Sequence, residues 1–600
     1  SVTCKKECDA ASGALPASCP AVCDAFRKMP DAVEYAAQLD AKYGREPDLD
    51  AMPLYCVPMS FKAVYDTKDM RSIGGADADY AMDAPPVDGT LAARMRDAGA
   101  IIFAKALNSE YNGGSGNPGG DAETAAPYIV NGGSRDTWGG TVCNPYNTER
   151  VTGGSSGGSG VSVAANLVVC SICETTGGSC RSPATHNNVV NLVPTKGMTT
   201  YGGGIGADPF RDRPGVNCRT VKDAVTVLEA FRDPTTGFFD PRDPYTALSH
   251  MTASDTPYTE ALKGIGGAKP LAGMRIGVIR ELFIKHDASD AAVSDGINRE
   301  LQILKALGAT LVEATTPEYP DDPAIENMAF SVRDAIAEVL PFHMPEVFSW
   351  KLADGTPEFK VPGWDVTSRK YLVSVANHKA PLPENLDFER LMGNAPMDVS
   401  GYSFAFNMEQ YLQQRGDAKV SDWATLNQNA TYFSADKQAA MTNWGNKGID
   451  PATYDTTFTM KREFVIRMAM MKVMEQNDID VFANPTTTTL PNVIGGPSEP
   501  VSRRAFGYGA RLGIPEVFVP AGFASEIYDP VLALADDGKT YDEKAGTQPT
   551  NLQGYPLPYN IGFWAMPGDL HDIIKVAAAY EAATHHRRTP PGFGPVKGEP

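Results

Sequence analysis

Two serine turns, GGSSGGSG at 153–160 and TTGGSCR at 175–181, and one lysine inside an apolar run, VPMSFKAV at 57–64, could carry chemistry in this 600-residue chain. A serine hydroxyl becomes a nucleophile when a nearby base takes its proton. Amide cleavage needs in addition a proton for the leaving amine and donors for the oxyanion. A lysine serves as that base when burial keeps it neutral. Lys62, set among apolar neighbours, suits the role. Taken alone it suits equally well a strand lysine whose head reaches water.

The first turn has other readings. A flexible linker belongs on the surface, yet this segment is flanked by apolar structure and followed by a second Gly-Gly-Ser turn. A phosphate-binding loop requires a lysine after its last glycine, and none is there. Gly153 to Gly157 formally matches G-x-S-x-G, but that elbow follows a buried strand, whereas NPYNTERVT precedes it here. The eight histidines are dispersed, and no zinc-type His pair or calcium-type acidic loop occurs. Neither a metal nor a cofactor is expected.

The elements that would position these residues read as an alternation of helix and strand. DAVEYAAQLDAKYG (31–44) and GTLAARMRDAGA (89–100) have helical patterns. PLYCVPMSFKAVYD (53–66) and IIFAKA (101–106) read as strands, and SGVSVAANLVVCSIC (159–173) as helix passing into strand. MRIGVIRE (274–281), TLVEA (310–314), IDVFANPTTT (479–488) and PEVFVPAGF (515–523) add strands; 290–309 and 571–584 add helices. Residues 112–150 read as loop and about 320–480 as mostly helical, with the methionines of TMKREFVIRMAMMKVME assigned to the core. This predicts an α/β fold with its sheet buried on both faces.

These segments together resemble the amidase signature family of serine hydrolases. The resemblance runs through VPMSFKAVYD, GTLAARMRDAGAIIFAKALNSEY, NPYNTERVTGGSSGGSGVSVAA, TTGGSCRSPA, VPTKGMTTYG, IDVFANPTTTTLP, PEVFVPAGF and KVAAAYEAATHHRRTPP, covering roughly residues 28–590. It implies a single α/β domain, a large mixed β-sheet covered by α-helices on both faces. Residues 1–27 would form a cysteine-bearing extension and 591–600 a tail. By position, Ser179 would be the nucleophile, Ser155 the serine after a cis peptide bond, with Gly154 as the other partner of that bond, and Lys62 the base. The two serines stand 24 residues apart, as in the family. Backbone N–H groups of Thr176, Gly177, Gly178 and Ser179 would form the oxyanion hole, glycines letting the backbone approach without a Cβ. Ser156 would support the network, and Arg181 matches the family arginine. Thr175 falls where the family has aspartate, so an ion pair to Arg181 would have to be remade, with Glu174 as the expected partner.

The resemblance implies a stand-alone hydrolase of small amides, monomer or homodimer. The alternatives are a glutaminase-type subunit of an amidotransferase and a non-catalytic binding protein on the same fold. A formal net charge of −20 argues against nucleic acid or an anionic membrane surface as partner, and no apolar run is long enough to span a bilayer. Ten cysteines all precede residue 219. Cys4, Cys8, Cys19 and Cys23 have a spacing that fits a helical hairpin stapled Cys4–Cys23 and Cys8–Cys19, a zinc site, or free thiols, the hairpin being preferred. With Ser1 in place of methionine, this leads us to expect a periplasmic or extracellular protein, and otherwise a cytoplasmic one. The other six cysteines are expected to be small core residues, some of them paired.

Overall fold

The computed structural model describes residues 29–595, apart from 45, 113–132, 210, 233–238, 244, 249–253, 286–287, 315–324, 353, 393–403, 447–455, 498–508, 510–511, 535–540 and 545. The hairpin expected at Cys4–Cys23 lies outside the described residues. The centre of the fold is a mixed sheet of eleven strands. In chain order these are β1 (Pro58–Lys62), β2 (Ile101–Ala106), β3 (Cys170–Thr175), β4 (Val190–Val193), β5 (Arg213–Cys218) and β6 (Arg275–Ile279), then β7 (Thr310–Ala314), β8 (Glu326–Asn327), β9 (Val481–Pro485), β10 (Glu516–Ala524) and β11 (Leu557–Trp564). Their order across the sheet is β8-β7-β6-β9-β11-β10-β4-β5-β3-β1-β2. Strand β1 runs parallel to both β2 and β3, whereas β4, β5, β10 and β11 pair antiparallel.

Every residue of β3, β4, β5, β9 and β11 is buried. A strand buried on both sides must be apolar throughout or have its polar groups paired, which is why these segments lack the polar alternation of a half-exposed sheet. The covering helices include α1 (Ala32–Tyr43), α2 (Thr90–Asp97), α3 (Gly157–Ala164), α4 (Arg181–His186), α5 (Val221–Ala230), α6 (Ala288–Ala306), α7 (Val332–His343), α8 (Thr456–Gln476) and α9 (His571–Thr584). Local chemistry sets their ends. Asp31 and Glu34 make a reciprocal capping box at the start of α1, and Gly99, at φ 89°, turns the chain out of α2 into β2. Helix α3 packs on β1, β2 and β3, and α9 on β10 and β11. Among the described residues no helix is long and apolar enough to cross a membrane.

The structure departs from the sequence reading in places. The expected strand at 53–66 is confined to β1, because Cys56 at φ 57° breaks the extended run before Pro58. Strands β4, β5 and β11 escaped the reading. Pro214 and Gly215 interrupt β5 with residues that disfavour strands. The proline is accommodated because β4 pairs only with Val216–Cys218, so Pro214 lies beyond its end. On α8, Met470 and Met474 are core residues, but Met468 and Met471 are 40% and 37% exposed, since a helix against one layer buries only one face. Of the six later cysteines, Cys143 is exposed and Cys56 half-buried. The sulfurs of the pairs Cys170/Cys218 and Cys173/Cys180 stand at disulfide distance, 1.94 Å and 2.16 Å.

Candidate active site

Lys62 ends β1, flanked by β2 and β3, and is fully buried. The GGSSGGSG turn lies over this strand end and is packed, not loose. Gly153 has φ 72°, and a Cβ there would overlap Ser182. At Gly158 a Cβ would stand 2.5 Å from the backbone nitrogen of Leu107, because the Gly158 N–H donates to the Leu107 carbonyl at 2.9 Å. Ser134 braces the turn, donating from Oγ to the Gly153 carbonyl at 3.0 Å and accepting from the Gly157 N–H at 2.9 Å. Ser109 N–H donates to the Ser155 carbonyl at 2.9 Å. The Gly154–Ser155 peptide bond is cis.

The Lys62 ammonium donates to Ser155 Oγ at 2.6 Å and to Glu174 Oε2 at 2.7 Å. Glu174, near the end of β3, is as fully buried as the lysine. Burial pushes the Lys62 pKa down from its ordinary value, and the Glu174 carboxylate acts in the opposite direction. Thr176 Oγ1 lies 3.1 Å from Glu174 Oε1 and 2.6 Å from Asp212 Oδ1. Burial, followed by the Glu174 charge, pushes the Asp212 carboxyl well up. Ser156 Oγ donates to the Glu174 carbonyl at 3.1 Å.

The loop leading to Ser179 leaves the end of β3 and enters α4. The Ser156 N–H donates to the Ser179 carbonyl at 3.2 Å, laying the two serine turns side by side. Thr175 bends the loop by donating from Oγ1 to the Gly177 carbonyl at 2.7 Å. Among the described residues, no atom lies within 4 Å of where a side chain at Gly177 would begin. Ser182 N–H donates to the Gly178 carbonyl at 2.8 Å, closing the turn into α4.

The expected partnership of Arg181 with Glu174 is not formed. Arg181 Nη2 stands 3.2 Å from Glu516 Oε2 at the start of β10, while Glu174 is taken by Lys62. The reason is geometric: Glu174 lies on β3 facing the end of β1, whereas Arg181 opens α4 toward β10. Sequence reasoning named Glu174 for another role and missed Asp212 and Glu516 as polar partners at the site. Both follow ordinary-looking segments, and only the sheet order brings them here. Among the described residues no group of three or more His, Cys, Asp or Glu is placed to hold a metal ion.

A buried lysine within hydrogen-bond reach of one serine, beside a turn carrying a second, is an arrangement able to move a proton from hydroxyl to amine. Known structures share the frame. A peptide amidase from Stenotrophomonas maltophilia superposes with a TM-score of 0.61 at 22% identity, over 94% of this chain and 90% of that one. A bacterial aryl acylamidase of the amidase signature enzymes superposes with a TM-score of 0.54 at 18% identity, over 96% and 90%. At such identities the likeness establishes the fold. In sequence, a glutamyl-tRNA(Gln) amidotransferase subunit of Azoarcus sp. (strain BH72) is 34% identical over 272 residues, 44% of this chain and 49% of the relative. Its counterpart in Cupriavidus necator is 33% identical over 294 residues, 48% of this chain and 53% of the relative. The chain thus spans about half the length of the curated relatives it matches. The family profile described as Amidase matches residues 21–359, more than half of the 600 residues, and the chain belongs to the amidase family.

Proposed function

We propose that the protein hydrolyses the C–N bond of a small carboxamide through an acyl-enzyme on Ser179. Neutral Lys62 accepts the proton of Ser155 as Ser155 accepts that of Ser179, and the Ser179 oxygen attacks the carbonyl carbon. The backbone N–H groups of Thr176, Gly177, Gly178 and Ser179 receive the oxyanion. When the tetrahedral species collapses, the C–N bond breaks and the proton returns through Ser155 to the leaving amine. Water then attacks the ester by the same relay, releasing the acid and restoring Ser179. Gly154 gives the turn its room, Ser156 ties it to β3, and Arg181 anchors the helix behind the nucleophile. In this reading residues 28–590 are the catalytic domain.

One observation carries the proposal: a fully buried lysine whose Nζ lies 2.6 Å from Ser155 Oγ. Among the described residues nothing crowds Gly177, where this reading has a substrate oxyanion reach the loop. The relatives favour one other reading, because those at 34% and 33% identity are amidotransferase subunits. The purified chain alone, assayed on a panel of carboxamides and anilides, separates the two: turnover without a partner supports the stand-alone hydrolase. Ser179→Ala is expected to lose essentially all turnover and to form no adduct with a fluorophosphonate, while circular dichroism stays that of the wild type. Retained turnover or labelling would remove Ser179 as nucleophile, and a wild type that never labels would favour the binding protein.

A further inference from the structure

Lys62 can accept a proton only after losing one, and what opposes that loss is on the other side of its Nζ. The ammonium sits between Ser155 Oγ at 2.6 Å and Glu174 Oε2 at 2.7 Å, with both charged side chains fully buried. While Lys62 donates to Ser155, the hydroxyl proton of Ser155 points away, toward Asn112 Oδ1 at 3.4 Å. That polarity is the reverse of the relay. It inverts only when Nζ has a lone pair to offer.

We propose that Glu174 is a positioning residue of this site: its carboxylate holds the Lys62 ammonium on Ser155 and so sets the pH above which Lys62 takes the relay proton. The inference rests on the reading of Lys62 as base.

Thr176 ties Glu174 to a second buried carboxyl group, Asp212. Thr176 Oγ1 has one proton and two carboxyl contacts, to Glu174 Oε1 and Asp212 Oδ1. One of these contacts therefore needs a proton supplied by a carboxyl group. Asp212 is the group pushed well up, so it donates to Thr176 and Thr176 donates to Glu174. Glu174 is left as the carboxylate that faces Lys62. Among the described residues the other titratable groups around the cluster are Asp208, Tyr65, Tyr201 and Lys196; the Asp208 charge adds to the rise of Asp212, and its Oδ2 faces Arg211 Nε at 3.7 Å. Tyr65 donates to the Cys173 carbonyl and Tyr201 to the Ile205 carbonyl, and burial raises both well above the ordinary phenol range, so they stay neutral. Lys196 donates to the Asp212 backbone carbonyl. None of the four replaces the Glu174–Lys62 contact.

The test reads Ser179 reactivity directly, with a fluorophosphonate probe, as labelling rate against pH from about 5 to 10. The wild type is expected to show a rate that rises with pH as Lys62 loses its proton. An opposite charge this close moves a pKa by about 1–3 units, so Glu174→Gln is expected to shift that ascending limb to lower pH by about that much. Glu174→Asp, which withdraws the carboxylate by one methylene, is expected to shift it the same way by less, and it decides the matter if the glutamine variant does not fold. A limb that stays in place or moves to higher pH in folded variants, with the rate merely scaled at every pH, overturns the inference and leaves the nucleophile reading standing. Labelling that survives Ser179→Ala, or a wild-type rate flat across the range, removes both.

Discussion

Arg181 and Arg213 share one carboxylate. Their Nη2 atoms stand 3.2 Å and 3.3 Å from Glu516 Oε2, and all three side chains are almost wholly buried. Burial draws both guanidiniums below their usual range, Arg213 to about 10, with Glu516 opposing. Arg213 is also satisfied by the carbonyls of Pro194, Ile514 and Gly509, whereas Arg181 leans on Glu516 and the Phe518 ring. A charge left unpaired in the interior is costly. Removing one partner of a buried pair costs about 3–5 kcal/mol. Glu516→Ala is therefore expected to lower unfolding stability by about that amount in urea titrations. Because Arg181 starts the helix after Ser179, it should also slow fluorophosphonate labelling. A loss below about 1 kcal/mol would mean that the arginines reach water, as exposed pairs do.

At the scale of elements, the GGSSGGSG turn looks like a linker in isolation but is a joint. It fits between the chain leaving β2 and the start of α4, with Ser134 between its carbonyl and amide groups. Gly158 lies within α3, where alanine would ordinarily be the better helix former by about 1 kcal/mol. Here a Cβ would press on the N and O of Leu107, which as backbone cannot turn aside. Gly158→Ala is accordingly expected to destabilise by about 1–3 kcal/mol and to reduce labelling of Ser179 through displacement of Ser155. Urea unfolding and labelling rate check both, and a stabilised variant with unchanged rate would show the contact to be slack. Cys173 and Cys180 bracket the loop that carries Ser179, with Cα atoms 5.7 Å apart.

At the scale of the molecule, the last helix closes the fold onto a distant segment. Both carboxylate oxygens of Glu581 on α9 accept from the Val221 N–H at the start of α5, each at 3.1 Å. Burial nevertheless pushes this carboxyl up to about 8, with Asp223 adding to the rise and the Val221 N–H opposing it. The folded state thus holds a proton that the unfolded chain has released. The stability this provides is complete below the ordinary glutamate value near 4.5 and is lost as pH rises through about 8. The net charge of −20 adds self-repulsion as carboxyls ionise. Urea midpoints measured from pH 5 to 8 should fall more steeply for the wild type than for Glu581→Gln. Parallel curves would place Glu581 in contact with water.

The sequence by itself determined the spacing of the residues proposed for chemistry and most of the elements, because those depend on residue type and on periodicity within a dozen positions. The alternation of helix and strand, the long helix expected at 290–309 and the final helix at 571–584 were legible in this way, whereas β4, β5 and β11 were not, and the pairing of Lys62 with Ser155 was expected only through a resemblance to a family. Only the tertiary structure decided which acid meets which base. Glu174 goes to Lys62 and Glu516 to Arg181 because β1 lies beside β3 while β10 lies across the sheet. Strand order, set by the burial of both sheet faces at once, is a property of the whole chain, so no local pattern announces it. The same holds for β5, whose Pro-Gly start reads as a turn until neighbouring strands supply its hydrogen bonds.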